Sequence, residues 1–269
     1  MSGPLVFIHV PKTGGSTFLS VLRRNFPTSD VLLPDAQKGK NLAEIDDAFG
    51  RLGQARSIHG HVPLSYRDRL PANARYAALL RDPVRRQYSH YQWLYGRKLA
   101  AGKHWPVERA LRQGRLVDNL QTRMLSGLED PFTRPADDEL LGAALVELEG
   151  LAFVGLVERF PESMLLAQER LGLRHISYVR RNVRGTTHPP EDVDALRAHN
   201  QLDLQLYAHA VAMLEPELDR LQSRAASLLR AERAMSSVRP TADLVALGYV
   251  ADYGMSAIGA RTRRALRWR

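Results

Sequence analysis

Cysteine is absent from all 269 residues. Disulfides, thiolate catalysis and Cys-ligated metal sites are therefore excluded. A reducing cytoplasm is compatible with that absence, and a cytoplasmic location is expected. Long apolar runs are missing too. The first, Leu5 to Val10, spans roughly six residues and has no basic flank, so no secretory signal is expected. No stretch approaches the roughly 20 apolar residues of a membrane span, and no internal repeat is visible. Acidic charge is in deficit: 38 Lys and Arg stand against 29 Asp and Glu, a net charge of +9. Anionic ligands are favoured electrostatically, and nucleic acid, anionic lipid and anionic glycan all fit that sign. Hydrophobic content of 44% with 25% charged residues is ordinary for a globular protein. The length suits one large α/β domain or two small ones.

The stretch from Val6 to Phe18 organises the chain. Leu5 to Val10 reads as a buried strand ended by Pro11. After Gly15 the pattern turns helical, with Phe18, Leu19, Val21 and Leu22 in step and Pro27 beyond the end. Between them, Pro11, Lys12, Thr13, Gly14, Gly15, Ser16 and Thr17 form a strand-to-helix loop. Its backbone N–H groups and the helix N-terminus suit an anion. Two glycines permit close backbone approach, and Lys12 adds a mobile point charge. A Walker A loop has four residues between its first Gly and a Gly-Lys pair. Here the lysine precedes the glycines, so an ordinary NTPase fits poorly. The plainer alternative is a Gly-rich turn with no ligand. Ligands of open α/β sheets do bind at strand C-terminal ends, which favours the anion site.

Farther along, Val31 to Leu33 suits a short strand and Asn41 to Leu52 a short helix. Ser57 to Pro63 reads as a strand running into a loop, with His59 and His61 flanking Gly60. In extended backbone both histidines share a face. A metal pair, a structural pair and a catalytic base are the alternatives; the base is favoured, because His accepts a proton near neutral pH. Tyr76 to Leu80 is the next strand, followed by Arg81, Asp82 and Pro83. Asp82 suits an N-cap and Pro83 the first helical turn. Ser89 lies eight residues past Arg81, about two helical turns, so both could reach one phosphate. A structural cap with a solvated Arg81 is the alternative.

Taken together, the loop 11–17, the His59-Gly60-His61 run and the Arg81–Ser89 spacing resemble the PAPS-dependent sulfotransferases. The likeness is to the carbohydrate branch that includes the heparan sulfate and uronyl 2-O-sulfotransferases and their bacterial relatives. It covers roughly residues 4–215 and implies a P-loop-like α/β nucleotide-binding fold, with a central parallel sheet flanked by helices. It implies that residues 11–17 hold the 5′-phosphosulfate and that Arg81 and Ser89 hold the 3′-phosphate. It implies His61 as the general base. Lys12 would stabilise charge on the leaving phosphate, and His59 would orient the acceptor. PAPS would be the donor, 3′,5′-ADP the product, and no metal would be required. The basic run Arg180, Arg181 and Arg184 resembles the family's late nucleotide loop, with Arg181 and Arg184 as candidate contacts.

The remaining segments carry weaker signals. Asn119 to Gly127 reads as an amphipathic helix whose polar face is either solvated or, through Asn119 and Arg123, turned to an acceptor cleft. Leu140 to Leu148 reads as a helix and Phe153 to Val157 as a strand. A helix follows through Leu171, Ser177 to Val179 suits a last strand, and Pro190 opens another helix. A long helix from about Gln201 to Met235 has Leu204, Tyr207, Val211, Leu214, Leu218 and Leu221 assigned to one face. Residues 1–240 are read as one domain and 241–269 as a basic extension, solvated or in loose contact with an acceptor or a membrane surface. The acceptor implied is a hydroxyl of a glycan or glycolipid. The alternatives are a P-loop kinase of a small molecule, or a non-catalytic binder of anionic glycan or nucleic acid.

Overall fold

The computed structural model describes residues 3–27, 30–32, 55–102, 105–178 and 190–237. The expected helix over 41–52, the loop with Arg180, Arg181 and Arg184, and the extension 241–269 lie outside the described residues.

A parallel sheet forms the centre. Its strands are β1 (Leu5–Ile8), β2 (Val31–Leu32), β3 (Ser57–Gly60), β4 (Arg75–Leu80) and β5 (Phe153–Leu156), in the order β2-β3-β1-β4-β5. Every pairing is parallel. Since β2 has two residues, four strands carry the sheet. Strands β1, β3 and β5 are buried along their whole length, and β1 and β5 accordingly read as continuous rather than alternating apolar runs, while β3 buries Ser57 and His59 as well.

Helices flank the sheet: α1 (Gly15–Asn25), α2 (Pro83–Ala100), α3 (Val107–Arg112), α4 (Leu120–Leu125), α5 (Asp138–Gly150), α6 (Phe160–Leu171), α7 (Pro190–Ala198) and α8 (Gln201–Ser237). Phe18 of α1 is fully buried. Its ring lies 4.5 Å from that of Phe7 on β1 and 6.0 Å from that of Phe153 on β5. Truncating such an aromatic typically costs about 3–5 kcal/mol. The other face of β1 and β3, at Val6 and Ile58, packs with Val62 and Leu70. Tyr88, Tyr91 and Tyr95 anchor α2 in a second cluster with Val107, Leu116 and Leu196.

Several boundaries differ from the sequence reading. Strand β1 stops at Ile8 because the Val10 amide turns back onto the Ile8 carbonyl. On α8 the buried stripe is Leu202, Leu206, Ala210, Leu214, Leu218 and Leu221, while Leu204, Tyr207 and Val211 flank it. Ser177 and Tyr178 form no strand. Side chains of α1 occupy the backbone there instead. Arg24 donates to the Ser177 carbonyl, and Asn25 bonds the His175 carbonyl and the Arg174 and His175 amides.

Candidate functional site

Three adjacent strands end side by side. The loop 11–14 leaves β1, His61 follows β3, and Arg81 follows β4. Parallel pairing thus places three segments distant in sequence on one edge, outside the carboxyl ends of the strands, where open α/β sheets bind ligands.

The loop turns through left-handed residues. Lys12 has φ 73° and Gly14 φ 77°. Lys12 is the costlier of the two, because a Cβ crowds the backbone in that region. Thr13 is buried and ties down the turn by donating from its hydroxyl to the Val10 carbonyl at 2.8 Å. The glycines serve different ends. Gly14 caps α1 in a conformation that favours glycine. Gly15 meets the His9 ring: a Cβ there would lie 2.0 Å from His9 Cδ2. The first turn of α1 has no acidic residue and no side-chain cap among the described residues. The Thr17 and Phe18 amides bond the Gly14 carbonyl.

Two loop carbonyls are held by flanking strands. Arg81 Nη1 donates to the Lys12 carbonyl at 3.1 Å, and His59 Nε2 bonds the Gly15 carbonyl at 3.1 Å. A carbonyl only accepts, so His59 carries its proton on Nε2. Burial lowers the Arg81 pKa, with Glu158 opposing the shift. The Arg81 backbone is itself clamped. Gln121 Oε1 accepts from its amide at 3.0 Å and Gln121 Nε2 donates to its carbonyl at 2.9 Å. Asp82 caps α2, its Oδ1 accepting from the Arg85 amide at 2.8 Å, in agreement with the sequence reading.

Four histidines gather here. His59 is 4% exposed and stacks on Phe7, its register partner, at 5.0 Å. Burial holds its pKa down to about 3, against the raising effect of the Gly15 bond. The His9 ring lies 4.7 Å from His59 and 4.4 Å from His61. Burial, then the neighbouring His59, His61 and Lys12, lower His9 well below its ordinary value. His90, on α2, is held down to about 3 by burial first and then by Arg86, Lys12 and His61. His61 itself is half-buried on the bend after β3. The geometry therefore separates the two histidines of the His-Gly-His run. His59 is neutral, stacked and bonded to the loop, while His61 sits nearer solvent.

Ser89 is half-buried two turns into α2, beside His90. Pro11 is buried, and Lys12 and Ser16 are partly exposed. Sequence reasoning passed over His9, His90, Arg86 and Gln121. The signals were the i, i+4 step from Arg86 to His90 and the alternation from Phe7 to His9. Asn119 and Arg123 belong to neither of their expected roles. Asn119 Oδ1 accepts from the Leu202 and Asp203 amides at the start of α8. Arg123 is buried, bonded to Asp118 and to the carbonyls of Pro131 and Arg134.

Among the described residues no group of three or more His, Cys, Asp or Glu is arranged to hold a metal ion, and no helix is long and apolar enough to cross a membrane. In comparisons with known proteins, no family model matches the chain and no curated protein matches it significantly.

Proposed function

We propose that the chain is a PAPS-dependent sulfotransferase acting on a hydroxyl acceptor, with a carbohydrate as the acceptor class that the resemblance implies. One observation carries this reading. The loop 11–17, the histidine pair and the Arg81 segment leave three adjacent strands at one edge, and the Arg81–Lys12 and His59–Gly15 bonds join them.

The residues present fit the donor. The α1 N-terminus and its loop suit a sulfated phosphate, and the Arg81 guanidinium keeps further donors beyond the one on Lys12. The donor supplies an activated sulfuryl group and a phosphate leaving group. Lys12 and the loop amides hold negative charge at the leaving oxygen, where a preorganised donor contributes most. His61 takes the acceptor proton; His59, with Nε2 committed to the Gly15 carbonyl, positions the loop. Arg81 and Ser89 bind the 3′-phosphate.

Thermal unfolding with added nucleotide tests the donor assignment. We expect 3′,5′-ADP to raise the Tm, by the equivalent of about 2.7 kcal/mol at a hundredfold excess over its Kd, and ATP with Mg²⁺ to raise it much less. Equal shifts from ADP and 3′,5′-ADP would reject the 3′-phosphate site. Transfer from radiolabelled PAPS to glycans, glycolipids and small alcohols would then identify the acceptor.

A further inference from the structure

Among the described residues Arg86 is the largest fully buried side chain, at 0% exposure, and its Nε, Nη1 and Nη2 have no hydrogen-bond partner there. Two other buried charges are satisfied. Arg123 donates to Asp118 and to two carbonyls. Asp203 accepts from the Gln121 amide and from the Thr122 amide and hydroxyl. Asp203 also attracts Arg86 through space, without a hydrogen bond to it. Burial lowers the Arg86 pKa to about 10, with Asp203 opposing and Arg81 reinforcing the shift. Arg86 is therefore still a cation at neutral pH. A buried guanidinium whose hydrogen-bond donors are all unmet is unfavourable, and the attraction of Asp203 does not satisfy them. Its surroundings indicate where an anion would sit. Arg81 is an electrostatic neighbour, Ser89 is one turn onward on the same stripe of α2, and His90 couples to Arg86 on one side and to Lys12 and His61 on the other.

We propose that Arg86 is a specificity-determining residue of the donor site, a buried positive charge that selects a ligand bearing a phosphate monoester at Arg81 and Ser89. The inference rests on the donor reading above, and the ligand group is the 3′-phosphate of an adenosine 3′,5′-bisphosphate. Asp203 opposes Arg86 and Glu158 opposes Arg81, but neither carboxylate hydrogen-bonds the Arg86 guanidinium. A dianion at Arg81 and Ser89 is attracted by both guanidiniums, which a neutral ribose hydroxyl is not.

The test measures Kd by calorimetry for 3′,5′-ADP and for 5′-AMP, which lacks only the 3′-phosphate. Wild type, Arg86→Met, Arg86→Lys and Asp203→Asn are compared, with far-UV circular dichroism as the fold control. In Arg86→Met the preference for 3′,5′-ADP should fall about ten- to hundredfold, with 5′-AMP affinity nearly unchanged and part of the preference restored in Arg86→Lys. Should Arg86→Met not fold, Asp203→Asn carries the test: it removes the opposing carboxylate and should strengthen the preference. A wild-type preference retained in Arg86→Met, or one left unchanged by Asp203→Asn, overturns the inference alone and makes Arg86 a counter-charge for Asp203. A wild type without preference for 3′,5′-ADP overturns the donor reading, and the inference with it.

Discussion

Acidification should destabilise this protein through His59. In the folded state burial holds that imidazole to about 3; in the unfolded chain it titrates near its ordinary value of roughly 6.5. As pH falls, the unfolded state therefore binds the proton first. The stabilisation is complete above about pH 6.5 and is lost progressively as pH falls toward 3. At pH 5, about 1.5 units below the unfolded value, His59 alone should cost about 2 kcal/mol, at roughly 1.36 kcal/mol per unit. That is a substantial fraction of a typical stability of about 5–15 kcal/mol. His9 and His90 are shifted in the same direction, so the wild-type loss should exceed this share. Urea unfolding at pH 7.5 and pH 5.0 measures it, on wild type and His59→Gln. Glutamine keeps an N–H donor for the Gly15 carbonyl and does not titrate. Between the two pH values the variant should lose about 2 kcal/mol less than wild type. Equal losses would refute the claim that His59 is held neutral.

Two further outcomes follow from the geometry. Gln121→Leu strips both bonds from the part-buried Arg81 backbone. We expect it to cost about 1–3 kcal/mol in denaturant unfolding, and a change under 0.5 kcal/mol would mean water replaces the side chain. His61→Ala should lower sulfuryl transfer to a confirmed acceptor about a hundredfold to ten-thousandfold while 3′,5′-ADP affinity stays within a few fold; an active variant would remove His61 as the base.

The parallel sheet was largely legible from the residues. A buried strand announces itself as a continuous apolar run, as at Tyr76 to Leu80, and Asp82 with Pro83 marks a helix start whatever lies around it. What sequence did not show is the polar interior. Asn119 and Arg123 sit at positions that suit a solvated face, yet both are buried, because their partners come from the start of α8 and from the carbonyls of Pro131 and Arg134. Gln121 and Arg81 are 40 residues apart, and nothing local to either predicts that one clamps the other. His9 escaped notice for a related reason. Its importance comes from Gly15 and from the histidines of the neighbouring strand, which only the β1–β3 pairing brings to it.

The two bonds across the loop also bear on how it presents itself to a ligand. In a trans peptide the carbonyl and the following amide point in opposite directions. Arg81 draws the Lys12 carbonyl toward β4, and His59 draws the Gly15 carbonyl toward β3. The amide of Ser16 must therefore face away from His59. Turning those two carbonyls toward the flanks removes two acceptors that would repel an anion at the loop. On the proposed reading Arg81 would act on a bound anion twice, once through its own charge and once by turning a carbonyl away from it. His59 would act only in the second way, since a neutral ring committed to Gly15 adds no charge. Loss of His59 should therefore disturb the loop's shape more than its charge, whereas loss of Arg81 removes both.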